Sequence, residues 1–535
     1  MPKLLFCVRI LSGLVSCLAM LSWLSSAAGS PDPVIAPAIV LVLLALALID
    51  LVSHLPSRVY TRSMPGLIIA AFCVTGYMTG DDVPVVIASL LAVATCLLNM
   101  FSSILDRIRR GGPFLVFLVF LIPMIIGAFV LTTPRCQQGT PTLTPSEAIF
   151  TSISAVTVTG LTVIDVGRRL SSEGQWVLLL LIQLGGLGMV SLFAFFALVL
   201  GNGLGIRQGR AIRDSLDGIG SGQLRALLGT ICLSTLVVEL CGAALLMATA
   251  SDSVHIRENL FHSVSAFCNS GFTLNRDSLG GWSGTQKSIM AILIVIGGVG
   301  FPVLHEFKRR LLLRDVNRIS LQVRLVLSVT TVLLITGTLL LLLTGAGMDS
   351  WFWSVTCRTA GFSTSSPAGL PLAATLMVIL LMMIGASPGS TGGGLKTSTI
   401  GVLFLATRAE MKGAQKVIAW KRTIPDAVIR TAAVLTLVGG ALWLTLVTAL
   451  LLVETEALQS GRLTFVDIVF EVTSALGTVG LSREVTSSLT EYGRWVIEFG
   501  MILGRLGPLA LVISMASLSR QAPRGERPQG RVMLG

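Results

Sequence analysis

Apolar runs of about 20 residues, the length of helix that crosses the hydrocarbon core of a bilayer, recur along this chain. The clearest cover residues 114–131, 176–200, 325–343 and 435–453. They leave few folds open, because backbone in hydrocarbon must satisfy its own hydrogen bonds and, outside closed barrels, does so as helix. Composition agrees: of 535 residues, 53% are hydrophobic and 12% charged, well below the charged share of an ordinary soluble protein. The chain reads as an all-α polytopic membrane protein.

The net charge of +12 would suit a nucleic-acid binder, but its placement argues against that class. Basic residues gather in short loops between apolar runs. One set is Arg107, Arg109 and Arg110, and another is Arg207, Arg210 and Arg213. Lys308, Arg309, Arg310, Arg314 and Arg318 form a third, and Lys412, Lys416, Lys421 and Arg422 a fourth. Arg520, Arg524, Arg527 and Arg531 close the chain. This is the positive-inside pattern, which puts these loops in the cytoplasm. Basic surfaces also steer acidic partners, so the loops form a candidate docking face. The nine cysteines and four histidines have no metal-like spacing, and Cys17, Cys73, Cys96 and Cys232 fall in apolar segments as small hydrophobes. No cofactor is expected within the chain. Residues 1–29 combine Lys3, Arg9, an apolar stretch and Ser25-Ser26-Ala27-Ala28. That reads as a signal peptide or a first transmembrane helix, and the helix is favoured in a polytopic chain.

Residues 1–104 hold three or four apolar segments (4–24, 34–52, 65–78 and 83–101) without obvious polar chemistry. A unit then repeats four times, over 105–222, 223–318, 319–425 and 426–518, before a basic cytoplasmic tail at 519–535. Each unit has a long apolar helix, a shorter amphipathic stretch ending in a glycine loop, and a second long helix. The loops read Thr157-Val158-Thr159-Gly160-Leu161, Cys268-Asn269-Ser270-Gly271-Phe272, Arg358-Thr359-Ala360-Gly361-Phe362 and Gly477-Thr478-Val479-Gly480-Leu481. A serine precedes each glycine by a few residues: Ser154, Ser265, Ser354 and Ser474. Gly160 to Gly185, Gly271 to Gly297, Gly361 to Gly385 and Gly480 to Gly504 lie 25, 26, 24 and 24 residues apart, so the second helices repeat in register as well. One such loop is a turn or a packing glycine; four in register mark an internal repeat. With the basic loops inside, the first helices run outward and the glycine loops lie near the outer face.

Non-helical backbone at membrane depth is tolerated where protein buries it or it lines a watery cavity. Four equivalent loops around one central pore can form a ring of carbonyls that replaces the water shell of a monovalent cation. Glycine lets each backbone approach the axis, and the negative end of each short helix favours a cation there. The loops carry almost no acidic side chains, unlike sites for hard divalent ions. Between 385 and 394, Pro388 and five glycines forbid a regular helix within an apolar span. Lys396 lies beside this break and Arg505 in the last helix, and ionisable residues at membrane depth are functional candidates. Arg358 is expected to tie down the third loop by donating to carbonyls. Gly186 reads as a helix-packing glycine.

These loops, with Gly385-Ala386-Ser387-Pro388-Gly389-Ser390-Thr391-Gly392-Gly393-Gly394-Leu395-Lys396-Thr397-Ser398-Thr399, resemble the Trk/Ktr/HKT potassium transporter superfamily over residues 105–518. The resemblance implies a membrane subunit for potassium uptake in the bacterial plasma membrane, and no enzyme. Its filter would be Val158, Thr159, Gly160, Asn269, Ser270, Gly271, Thr359, Ala360, Gly361, Thr478, Val479 and Gly480. Its gate would be the loop 385–399, with Gly389, Ser390, Thr391, Gly392, Gly393, Gly394 and Lys396, together with Arg505. A homodimer and a cytoplasmic ring of nucleotide-binding regulatory subunits are implied as partners. K+ is the implied cargo, and coupling to Na+ or H+ stays open. Ktr-type members have little before the first repeat and Trk-type members about two helices, so the segments of 1–104 leave the subtype open. Two other classes compete. A secondary transporter of a small solute would also show repeats and broken helices. An intramembrane enzyme would draw on Glu239, Asp467, Glu471 or Glu498, but no nucleophile–base pair accompanies them.

Overall fold

Several helices begin on side chains that fill their open backbone N–H groups. Thr144 and Glu147, Ser283 and Gln286, and Thr464 and Asp467 each form a reciprocal box, in which the cap hydroxyl accepts from the third backbone N–H and the third side chain accepts from the cap N–H. The computed structural model describes residues 114–139, 142–203, 221–249, 256–313 and 319–518. The expected N-terminal helices, the basic loops at 107–110 and 207–213, Arg314, Arg318 and the tail at 519–535 lie outside the described residues.

The element order is α1 (Phe114–Leu131), α2 (Pro145–Val156) and α3 (Ser172–Gly203), then α4 (Ser221–Thr249), α5 (Ile256–Phe267), α6 (Gly284–Val299) and α7 (Phe301–Leu313). There follow α8 (Leu321–Leu343), α9 (Ser350–Thr356), α10 (Leu372–Met383) and α11 (Thr397–Met411), and finally α12 (Asp426–Val453), α13 (Phe465–Gly477) and α14 (Glu491–Leu518). Between α11 and α12 lies a small antiparallel hairpin of two-residue strands, β1 (Ile418–Ala419) and β2 (Arg422–Thr423), in an otherwise helical fold. Trp420 and Lys421 turn it with φ of 47° and 64°, the primed geometry that suits a two-residue hairpin.

In the first three repeats small residues let the long helix approach the short one that follows. Gly127 faces Ser152, Gly242 faces Ser263 and Gly337 faces Ser354, and a Cβ on any of these glycines would overlap the serine hydroxyl or crowd it at 2.5 Å. The hydroxyls donate to carbonyls of the long helices, Ser152 to Met124 O at 2.7 Å, Ser263 to Glu239 O at 2.7 Å and Ser354 to Leu334 O at 3.0 Å. The α12–α13 pair is locked differently, by Trp443 Nε1 donating to Thr473 Oγ1 at 2.8 Å. Two described helices, α8 and α12, are each long and apolar enough to cross a bilayer, with mean hydropathy 2.4 and 2.2. Their outward residues, such as Leu343 and Leu437, are exposed in the isolated chain. Such a surface needs an apolar surrounding.

The second long helices do not match one another. α3 runs unbroken for 32 residues. α6 and α7 meet at Gly300 with their axes 95° apart. α10 and α11 are separated by the non-helical segment 384–396, and α14 bends at Gly507, whose φ is 73°. The break is shorter than the expected 385–399, because Thr397, Ser398 and Thr399 form the first turn of α11.

Candidate functional site

The four short helices end in the same backbone conformation. Two residues before each loop glycine the chain turns left-handed, with φ of 54° at Val158, 58° at Asn269, 67° at Thr359 and 49° at Thr478. The glycines are positive again: 91° at Gly160, 74° at Gly271, 80° at Gly361 and 91° at Gly480. Asparagine tolerates the left-handed region, but the β-branched Val158, Thr359 and Thr478 do not, and such residues persist only where their surroundings over-determine them. All four are fully buried. The sequence placed all four among the expected filter residues but did not foresee their left-handed conformation; the signal was their common place two residues upstream of the glycine.

Side-chain hydroxyls hold the turns. Gly160 N donates to Ser154 Oγ and Gly480 N to Ser474 Oγ, each at 3.0 Å. Ser265 Oγ donates to Phe272 O at 2.7 Å and lies 2.7 Å from Ser270 Oγ. In the third loop Ser354 does not do this, because it is engaged with α8. Thr356 takes its place and donates to Phe362 O at 2.6 Å; it stands five residues before its glycine, where the serines of the other loops stand six before theirs. Arg358 is buried and donates to Thr330 Oγ1 at 3.4 Å, so the expected bonds to loop carbonyls are replaced by one to a hydroxyl on α8.

The loops meet in cyclic order. A Cβ added to Gly160 would overlap Ser270 O of the second loop. One on Gly271 would sit 2.9 Å from Ala360 O, and one on Gly361 2.5 Å from Val479 O. A Cβ on Gly480 would overlap Thr159 O, which closes the circuit. Only residues without a Cβ fit here, since each glycine faces the carbonyl that precedes its neighbour's glycine. Eight of the twelve residues expected at a filter, the glycines and the residues just before them, therefore meet in one closed ring.

The segment 384–396 packs against this ring. Ser387, Ser390 and Thr391 are almost fully buried. A Cβ on Gly392 would overlap Thr359 Oγ1, and Gly393 N donates to Thr478 Oγ1 at 3.1 Å, so the segment touches the third and fourth loops. Gly389 O accepts from Phe301 N at 2.9 Å and Thr391 Oγ1 donates to Phe267 O at 3.2 Å, which ties it to the second repeat. A Cβ on Gly394 would lie 3.2 Å from Gly477 O. Lys396 Nζ turns back onto its own segment, donating to Gly392 O at 2.8 Å. Arg505, buried in α14, donates from one guanidinium nitrogen to Thr391 O and from the other to Gly185 O in α3. One cation thus bridges the segment to the first repeat.

Gly186 is not a plain packing glycine. A Cβ there would lie 2.8 Å from Cys268 Sγ, immediately before Asn269. Three of the buried carboxylates have structural partners: Asp467 accepts from Arg483 Nε at 2.7 Å, Glu471 from Thr486 Oγ1 at 3.0 Å and from Ser482 Oγ, and Glu239 from Gln183 Nε2 at 3.3 Å. Asp467, Glu471 and their partners brace the fourth loop, a role that spacing did not reveal.

The comparisons with known proteins agree on one class. A family model described as "Cation transport protein" (TrkH) matches residues 122–346 and 343–523. The Ktr system potassium uptake protein B of Vibrio alginolyticus is 32% identical, over 77% of this chain and 92% of that protein. Its namesake in Bacillus subtilis is 31% identical, over 81% and 99%. The potassium transporter TrkH of Vibrio parahaemolyticus shares the fold, with a TM-score of 0.63 over 89% of this chain and 97% of that one, at 20% identity. The chain is an all-α polytopic membrane protein of the cation-transporter class. It belongs to the Trk/Ktr family, as a membrane subunit.

Proposed function

We propose that this chain carries potassium into the cell across the bacterial plasma membrane. K+ is the cargo, and it is selected at the ring formed by Val158–Gly160, Asn269–Gly271, Thr359–Gly361 and Thr478–Gly480. The observation that carries the reading is the cyclic contact of the four loop glycines with their neighbours' carbonyls. A closed ring of carbonyl dipoles at the ends of four short helices suits a dehydrated monovalent cation. The segment 384–396 is the gate, because it packs under the third and fourth loops and is held by Arg505 and Thr478. The names of the relatives as uptake proteins of Ktr systems support potassium as cargo and a chain that works with other subunits. We take these partners to be a second copy of the chain and a cytoplasmic ring of nucleotide-binding regulators, docked on the basic stretches, of which Lys308 and Arg310 lie on α7 rather than in the expected loop.

The test is flux. Vesicles holding the purified chain and a potassium gradient should release K+ faster than Na+, and the protein should rescue potassium-limited growth of an uptake-deficient bacterium. Equal rates for the two ions would sink the filter assignment. Imposed Na+ or H+ gradients that change the K+ rate would show coupling. For the docking face, reversing the charge of Lys308 and Arg310 together should weaken capture of a regulatory subunit and flatten its salt dependence. Unchanged capture at low salt counts against it.

A further inference from the structure

A cavity of about 130 Å³ lies behind the gate segment, between it and α12. Met383, Leu395, Trp443, Leu476 and Leu503 form its apolar walls, and Gly439 and Gly440 recess the surface of α12 beside it. Gly439 is filled by its neighbour, since a Cβ there would lie 3.1 Å from Leu395 Cδ2. A Cβ on Gly440 would meet nothing within 4 Å, so the space is open on that side. The hydroxyls on its wall are already satisfied. Thr436 Oγ1 donates to Ala432 O at 3.0 Å, and Thr473 Oγ1 donates to Val469 O at 2.6 Å while accepting from Trp443 Nε1 at 2.8 Å. A cavity of this size whose side-chain polar groups are all satisfied suits an apolar guest.

Its depth identifies the guest. Gly439 and Gly440 sit at the middle of the 28-residue α12, which spans the bilayer. Leu437 and Leu444, one helical turn to either side, are 73% and 60% exposed on the outer surface of the same helix. In the isolated chain this face is therefore open at the depth of the lipid hydrocarbon. We infer that this cavity is a lateral binding site for an acyl chain of a bilayer phospholipid, which enters past Gly440 and ends against Gly394 and Leu395. Its consequence for transport rests on the gating reading: an occupied site restrains the segment through Leu395, and an empty one frees it.

The test uses the full chain in vesicles containing a phospholipid with a diazirine at mid-chain, photolysed and mapped by peptide mass. Label is expected on Leu437 and Leu444 from bulk lipid and, in addition, on the peptide that carries Leu395. Gly440→Leu, which plugs the entrance, should lower the Leu395 label severalfold and leave the Leu437 label unchanged. An unlabelled Leu395 in the wild type overturns the site, whether the cavity is empty or a second copy of the chain fills it. The wild-type result decides even if the variant fails to fold. If the labelling is as expected but Gly440→Leu conducts like the wild type, the site stands and its restraint of the segment falls.

Discussion

The ring of loops and the layer of second helices beneath it follow opposite rules. In the ring, four stretches of different sequence adopt one conformation: a left-handed residue, one more residue, then a glycine pressed on its neighbour's carbonyl. In the helices below, four stretches that share a glycine-rich pattern take different courses: unbroken, bent by 95°, interrupted and kinked. A site that coordinates an ion equally from four sides needs equivalence. An element that opens and closes, as proposed for the irregular segment 384–396, needs two arrangements of similar energy, which a regular helix does not offer.

Breaking the ring should have the largest effect. In Gly160→Ser the new Cβ meets Ser270 O and the residue must hold a φ of 91°, so the second loop is displaced as well as the first. Potassium uptake should fall more than sodium uptake. The preference should drop by about tenfold or more, equivalent to about 1.4 kcal/mol. Parallel K+ and Na+ flux measurements read it directly, and an unchanged ratio would mean the ring does not select. Gly186 is unsuitable as the control because it packs on Cys268. Gly284, where a Cβ meets nothing within 4 Å, serves instead.

Breaking the irregular segment should raise flux and spare selectivity. Deleting Ser390–Gly394 removes the part that touches Thr359 and Thr478, and transport without regulators should rise severalfold with the K+/Na+ ratio intact. Normal insertion with unchanged or lower flux would make the segment a packing element. Arg505→Ala is the milder form. It frees the carbonyls of Thr391 and Gly185, each hydrogen bond to a charged group being worth about 1.5–3 kcal/mol. Flux should again rise, and Arg505→Lys should restore little, since a single ammonium lacks the planar fork that reaches two carbonyls on different elements.

The smallest effect sharpens the comparison. Ser154→Ala and Ser474→Ala each remove an acceptor for a loop glycine N–H, a loss of about 1 kcal/mol. Each should lower the K+/Na+ preference by less than Gly160→Ser does. In the third repeat the same weakening should follow Thr356→Val. Ser354→Ala should instead loosen the α8–α9 contact, read as a lower unfolding temperature with the ion preference retained. If Ser354→Ala changes selectivity as Ser154→Ala does, the assignment of Thr356 is wrong.

The sequence by itself determined the helices, the membrane and the places where chemistry had to lie. Apolar length and the spacing of basic loops are one-dimensional signals, and so is a glycine that recurs four times in register. Pro388 and its glycines likewise announced a break in the span between α10 and α11. What only the tertiary structure decided were matters of partnership between distant residues. The left-handed Val158, Thr359 and Thr478 run against local preference, so only their packed surroundings reveal them. The exchange of Ser354 for Thr356 depends on which helix each hydroxyl faces, and Arg358 found a hydroxyl where carbonyls were expected. Arg505 and Gly185 lie 320 positions apart in the chain, and no local pattern records that one would hold the other. Local propensity acts over a few residues, whereas a ring and the segment beneath it exist only once four separate stretches have been brought together.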